Sequence, residues 1–193
     1  LLERDCDILV RNDIVVWATS MVACGDADGV VTGNTRRFGS SLDKIKQVVD
    51  VRDGEIMFGL NMVVHKGKTI FVGDTSVHEY PTSEQMAEIA ISTARVVRLF
   101  GFDPKVAFVS HSTFGQPLTS RTKHIRNAVE ILKDKKVDFD FDGDMQPDVA
   151  LNSEYEELYP FAKIVGKANI LIMPGQHSAA ISYKLMKTFG DTK

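Results

Sequence analysis

Apolar residues follow two alternating patterns along the chain: short runs rich in β-branched residues, and longer segments in which apolar positions recur every three or four residues. The short runs predict strands at residues 56–64, 69–72, 105–110 and 169–173, with weaker candidates at 30–32 and 137–141. The helical spacing predicts helices at residues 14–24, 42–49, 83–100, 119–135 and 178–189, and a short one at 155–159. Strands that alternate with helices predict an α/β fold of three αβα layers around a mainly parallel sheet.

Boundary signals sharpen two of these helices. Thr82 and Gln85 stand at capping-box spacing before the 83–100 helix, and Gly101 suits its C-terminal cap. The 178–189 helix is expected to end at Gly190 and to turn its apolar residues inward. These residues are Ile181, Leu185, Met186 and Phe189.

A turn signal at residues 52–54 predicts a division of the chain. We expect residues 1–53, which read as helix, strand and helix, to be the end of a first αβα lobe. Residues 54–193 are expected to form most of a second αβα lobe, beginning with a hairpin whose loop is residues 65–68. A ligand cleft between the two lobes completes this hypothesis.

The composition fits a globular protein: 44% of the 193 residues are hydrophobic, 25% are charged, and the net charge is −3. A net negative charge does not favour binding to nucleic acid or to an anionic membrane. Cys6 and Cys24 are the two cysteines, too few for a disulfide framework and without metal-ligand spacing, so we expect reduced thiols in a cytoplasmic protein. The sequence begins at Leu1 rather than Met, and we expect it to be part of a longer chain.

The most informative polar segment lies between a predicted buried strand and a predicted helix. It contains the candidate ligand-binding residues Ser110, Ser112, Thr113, Phe114 and Gly115. In open α/β sheets ligands bind beyond the carboxyl ends of strands, where hydroxyl and backbone N–H groups can hold phosphate oxygens. A polar turn without a ligand is the alternative, and the segment is not a P-loop.

Basic residues near two polar segments extend this hypothesis. Arg121 and Lys123, in the first turn of the next helix, could add positive charge to a phosphate site. Arg36, in the polar loop with Asn34 and Thr35, could contact a nucleotide phosphate, although a solvated loop is the simpler interpretation.

Other candidate chemistry is weaker. Asp138, Asp140 and Asp142 imitate the start of a calcium loop, but the twelfth position is Val149 instead of a bidentate Glu. We therefore expect a strand that runs into a turn at Gly143. No histidine pair has zinc-ligand spacing, and no G-x-G-x-x-G supports a dinucleotide fold in this segment.

Several segments, taken in order, resemble the phosphate acetyl/butyryltransferase family. Residues 26–33 resemble its early G-[DE]-A-D-G signature, and residues 81–90 resemble its P-T-x-E-Q-x-A-x-I-A stretch. Residues 110–115 and 142–146 resemble its S-x-S-x-x-G and D-G-E-x-Q segments. The resemblance implies the two-lobed αβα fold of isocitrate and isopropylmalate dehydrogenases, as in phosphate acetyltransferases.

Within that family, residues 32–38, 95–107 and the S-H-S-x-F-G form of residues 110–115 look closer to the acyltransferase-like tail of bacterial NADP-dependent malic enzymes. This resemblance implies a regulatory, oligomer-forming domain that senses acetyl-CoA or an acyl phosphate and needs no cofactor of its own. NADP, a divalent metal and the oxidative decarboxylation of malate to pyruvate would belong to a malic enzyme domain upstream.

Three departures from the family pattern weaken the case for acyl transfer by this segment. Asp43-Lys44 follow Leu42 where the family has Arg-Pro, so an anion replaces a cation near a phosphate ligand. Ala180 stands where the family usually has Asn, and the later Ser-Arg motif would fall beyond Lys193. The catalytic residues are therefore unknown. A working phosphate acyltransferase and a purely structural dimerisation module are the alternatives.

Overall fold

The computed structural model describes residues 2–190, which divide into two compact units after Asp53. The unit that ends at Asp53 contains three helices: α1 (Glu3–Asn12), α2 (Ile14–Cys24) and α3 (Phe38–Lys46). Asp13 separates the first two helices and caps α2, because its carboxylate accepts the N–H groups of Val15 at 2.9 Å and Val16 at 3.3 Å. Gly25 ends α2 in the left-handed conformation, as predicted.

Two predictions for this unit were wrong. The strand predicted at residues 30–32 does not form, and Val31 is fully exposed. No strand lies among the described residues of this unit, so the 30–32 segment has no ladder partner there to satisfy its backbone groups. Helix α1 was not predicted at all. Helix α3 begins four residues before the predicted start.

The second unit, from Gly54 onward, contains a five-stranded sheet with the strand order β1-β2-β5-β3-β4. The strands are β1 (Leu60–His65), β2 (Lys68–Gly73), β3 (Lys105–Val109), β4 (Asp140–Met145) and β5 (Ile170–Ile172). Strands β1 and β2 form the predicted antiparallel hairpin, whereas β2, β5, β3 and β4 run parallel. The mainly parallel sheet is thus confirmed.

Helices cover both faces of this sheet and bury a core on each. The helices are α4 (Ser83–Leu99), α5 (Ser120–Lys135), α6 (Pro147–Leu151) and α7 (Gln176–Phe189), with a 3-10 helix at Ser153–Leu158. Alternate strand residues serve the two cores: Phe71 packs with α4 and α5, while its neighbour Val72 packs with α6 and α7. The three-layer α/β architecture predicted from the sequence is therefore confirmed.

Strand β4 corrects the interpretation of the acidic segment. The predicted strand 137–141 ended in a turn at Gly143, but β4 continues through Gly143 to Met145. Gly143 has φ 145° and lies opposite Phe108, where an added Cβ would come 2.8 Å from the Phe108 carbonyl oxygen. The pairing of β3 with β4 shifts register at this point, so the glycine marks a bulge within the strand.

Helix α7 corrects a second prediction. Its bounds agree with the predicted 178–189 helix to within two residues, and Gly190 caps it. However, the expected inward face is largely exposed: Ile181, Leu185 and Phe189 are all accessible to solvent, and Ala179 is the fully buried residue of this helix. Periodicity located the helix correctly, but no described element covers the expected face.

Candidate functional site

The polar segments of interest meet at one edge of the sheet. Because β2, β5, β3 and β4 are parallel, their carboxyl ends lie at the same edge. Asp74 follows β2, Ser110 follows β3, Gln146 follows β4, and Met173 follows β5. Any ligand of this sheet is expected at that edge.

The segment after β3, here called the 110–115 loop, is held by main-chain hydrogen bonds to the end of β4. The Ser110 N–H donates to the Met145 carbonyl at 2.9 Å, and the Phe114 N–H donates to the Asp144 carbonyl at 2.7 Å. Phe114 and Gly115 have φ values of 50° and 84°, so the chain reverses there in the left-handed region. The 110–115 loop is therefore a tight structure fixed against β4.

Asp144 holds the side chains of this loop from within. Its carboxylate is fully buried; one oxygen accepts the Ser112 hydroxyl, and the other accepts the Gly115 N–H at 3.1 Å. The Ser110 oxygen accepts the Ser112 N–H at 3.2 Å. Both serine hydroxyls are thus buried and have partners inside the protein, unlike the open tip that the sequence led us to expect.

A second buried carboxylate, that of Asp74, organises the segment after β2. It accepts N–H groups from four backbone positions at 2.7–3.1 Å, namely Gly59, Ser76, Val77 and His78. It also lies 2.7 Å from Nδ1 of His78. The imidazole ring is thereby held against the buried carboxylate.

A cavity of about 350 Å³ opens at the same edge, and we call it the Arg121 cavity. The start of α4 and the start of α5 both line it, together with the segment after β5. Its lining residues are Tyr80, Pro81, Thr82, Ser120, Arg121, His124, Ile125 and Pro174. The Arg121 guanidinium lies 5.9 Å from the centre of the Tyr80 ring, a cation–π geometry.

The two helix ends give this cavity a positive field, but they differ in charge. At α4, Glu84 already supplies an anion: its own backbone N–H and the Thr82 hydroxyl hold the pKa of its carboxyl below the ordinary value. The first turn of α5 has no acidic residue, and it carries Arg121 instead. An anionic ligand is therefore favoured at the start of α5.

The remaining predicted site residues lie elsewhere. Asn34, Thr35 and Arg36 are exposed in the first unit, where the Arg36 guanidinium donates to the Asp13 carboxylate at 2.9 Å. Lys123 is exposed on α5 but does not line the Arg121 cavity. Phe114 lines a different cavity, at β4. Arg121 is the one predicted site residue that lines the Arg121 cavity.

Sequence reasoning assigned no role in the site to Asp74, His78 or Tyr80. Asp74 follows a predicted buried strand, which is the same signal that singled out Ser110. Asp144 lies in the segment 142–146 that resembles the family's D-G-E-x-Q, but its burial was not predicted, because the end of β4 was predicted four residues too early. Among residues 2–190, no three His, Cys, Asp or Glu side chains are grouped to hold a metal ion. No helix of that range is long and apolar enough to cross a membrane.

Comparison with known proteins shows the family of this chain. The family model described as phosphate acetyl/butaryl transferase matches residues 3–193. The chain belongs to this family. It is 43% identical over 189 residues to the NADP-dependent malic enzyme of Rhizobium meliloti, a match that covers 98% of this chain and 25% of that enzyme. It is also 34% identical over 192 residues to a phosphate acetyltransferase of Clostridium acetobutylicum, covering 94% and 57% of the two chains.

Solved structures of family members have the same fold. The EutD phosphotransacetylase from Staphylococcus aureus matches with a TM-score of 0.83 and 27% identity, over 94% of this chain and 57% of that chain. A phosphotransacetylase from Streptococcus pyogenes matches with a TM-score of 0.84 and the same identity. The chain thus spans about a quarter of the length of the malic enzyme and just over half of the phosphotransacetylases.

Proposed function

We propose that this chain is the acyltransferase-like regulatory and oligomerisation domain of an NADP-dependent malic enzyme and that it binds acetyl-CoA. One observation carries the proposal: the 43% identity to a malic enzyme extends over almost the whole chain, although the chain spans only 25% of that enzyme. Malate decarboxylation, with NADP and a divalent metal, then belongs to an upstream domain. The domain described here supplies the effector site.

The Arg121 cavity supports an anionic effector. Arg121 contributes a fixed positive charge at the start of α5, where the helix dipole adds to the field. The apolar part of the lining, with Pro81, Ile125 and Pro174, suits the carbon skeleton of the ligand. A phosphate or thioester-bearing acyl carrier presents both kinds of surface.

Regulation needs an effector that binds two states of the intact protein with different affinity. The 110–115 loop and Asp144 connect the carboxyl ends of β3 and β4 through buried hydrogen bonds. A ligand at this edge that pulls on the loop changes the geometry of both strand ends. We infer that such a change is the signal passed to the malic enzyme domain.

Calorimetric titration of the intact protein with acetyl-CoA, together with malate kinetics, tests this function. Arg121→Gln is expected to weaken acetyl-CoA binding at least tenfold, since one charge-assisted hydrogen bond contributes roughly 1.5–3 kcal/mol. The matched control is Arg98→Gln, an exposed arginine in the last turn of α4 that pairs with Asp138. Absence of binding heat and of any effect of acetyl-CoA on malate turnover would refute the proposal.

A working phosphate acyltransferase is the second candidate, and the close structural match to two phosphotransacetylases favours it. Such an enzyme brings the CoA thiol to an acyl phosphate and stabilises the charge that develops on the phosphate. The discriminating measurement is acetyl-CoA formation from acetyl phosphate and CoA by the intact protein. The regulatory proposal expects none, whereas steady turnover would favour the enzyme. A third candidate, a purely structural dimerisation module, predicts a change of oligomer size on removal of this domain and no ligand binding.

A further inference from the structure

A second cavity, of about 380 Å³, lies along the free edge of strand β4; we call it the β4-edge cavity. Within residues 2–190, β4 pairs with β3 alone and is the last strand of the sheet. The backbone N–H and C=O groups on its other edge therefore have no strand partner. A ligand with neighbouring donors and acceptors can bind to such an edge as another strand would.

Aromatic rings line this cavity from both faces of the sheet. Phe139 and Phe141 pack against the core beneath α4 and α5, and their ring centres are 6.0 Å apart. Phe114 packs against the opposite core, and its ring lies 4.9 Å from that of Phe161. Phe161 is 69% exposed, so part of its ring is accessible to a ligand. All four rings line the cavity, so a flat ring bound there has aromatic surface to pack against.

The charged residues of the β4-edge cavity carry both signs. Arg126 and Lys163 line the cavity, and neither forms an ion pair with any residue that the structure describes. Asp140 and Asp142 supply acceptors on β4 itself. Burial raises the pKa of Asp142, against the opposing N–H groups of Gly143 and Lys163. A hydrocarbon ligand would leave the Arg126 and Lys163 cations unpaired, at about 1–3 kcal/mol for each one buried.

We propose that the β4-edge cavity binds a purine nucleotide, at a site separate from the acetyl-CoA site proposed above. The purine ring lies against the phenylalanine pairs, and its amino group donates to the β4 edge or to Asp142. The phosphate lies at Arg126 and Lys163. A peptide strand is a poorer occupant, because the charged side chains of Asp140 and Asp142 interrupt this edge.

The same cavity adjoins the 110–115 loop. Phe114 belongs to both, and the Arg126 guanidinium lies against Gly115, in the space that a Cβ at that position would fill. Arg126 cannot move toward a phosphate without changing its contact with the loop. Nucleotide binding is therefore expected to alter the affinity of the intact protein for acetyl-CoA, and by linkage the reverse.

The test is calorimetric titration of the intact protein with AMP, repeated in the presence of saturating acetyl-CoA. We expect saturable binding that Arg126→Gln weakens at least tenfold, as does Phe161→Ala, whose exposed side chain adds little to folding. Arg121→Gln, the same change in the other cavity, is expected to leave AMP binding within twofold. Far-UV circular dichroism establishes that each variant is folded.

Three results would overturn the nucleotide site: no AMP binding, unchanged AMP affinity in both the Arg126→Gln and Phe161→Ala variants, or loss of AMP binding on Arg121→Gln alone. The last result places AMP in the Arg121 cavity. The acetyl-CoA proposal is tested separately, by the titration with acetyl-CoA. Failure of one proposal is therefore distinguishable from failure of the other.

Discussion

Two buried aspartates determine the local structure at the carboxyl edge of the sheet. Asp74 and Asp144 each follow a glycine at or near the end of a strand, and neither is exposed by more than 1%. Asp74 finds its donors mainly within the next four residues, so it organises a local turn. Asp144 instead reaches Ser112 and Gly115, about thirty positions earlier. Its loss therefore affects tertiary structure and not only one turn.

Replacement of Asp144 by Asn is expected to lower the free energy of unfolding by roughly 2–3 kcal/mol. The amide offers one acceptor oxygen in place of two, so the Ser112 hydroxyl or the Gly115 N–H is left buried without its partner. Urea unfolding followed by circular dichroism measures the difference. Asp134→Asn, an exposed change on α5, should stay within about 0.5 kcal/mol. Equal stability of the two variants would contradict this role of Asp144.

At the scale of the elements, the boundaries of capped helices were predicted reliably, whereas features that depend on distant residues were not. Both long helices of the second unit, α4 and α5, begin with capping boxes in which Thr82 and Thr119 accept N–H groups three residues later. Such signals depend on neighbouring residues alone, and the predicted bounds of both helices were correct to within one residue. The bulge at Gly143 depends on the distant Phe108, and the exposed face of α7 depends on what covers it, so periodicity could not reveal either.

The contribution of one such local signal to stability can be measured at the N-terminal cap of α5. Thr119→Ala removes the hydroxyl that accepts the Thr122 N–H at 3.2 Å, and we expect a loss of about 1 kcal/mol in unfolding free energy. Thr119→Ser keeps the oxygen and is expected to keep most of the stability. If the two variants unfolded at the same urea concentration, the cap would not explain the helix start.

The candidate site, too, has features that local sequence predicts and features that depend on distant residues. Arg121 was predicted because the first turn of a helix after a buried strand is a recognisable position for an anion site. The burial of Ser110 and Ser112 was not predicted, because it depends on Asp144 in a strand that comes more than thirty residues later. Sequence patterns thus located the edge, whereas the pairing of β3 with β4 decided which side chains remain free there.

At the scale of the whole molecule, the two hydrophobic cores both belong to the unit that begins at Gly54. One core extends from Phe71 to Ile172 and the other from Val63 to Ala179. Neither contains a residue from the three helices of the first unit. The stability of the sheet is therefore expected to be independent of residues 1–53.

A fragment of residues 54–193 should fold by itself and unfold in one cooperative urea transition. The complementary fragment, residues 1–53, is expected to be only marginally structured, because a chain of that length buries little apolar surface. Circular dichroism of the two fragments measures this difference. A 54–193 fragment without a cooperative transition would show that the cores need the preceding helices.

The position of β5 has a consequence for biosynthesis. This strand, only three residues long, joins β2 to β3 in the middle of the sheet, yet it is the last of the five to leave the ribosome. Until it emerges, the β1-β2 hairpin and the β3-β4 pair present unpaired edges that only β5 can bridge. Nascent chains of this protein are therefore expected to engage chaperones until residue 172 has emerged from the ribosome.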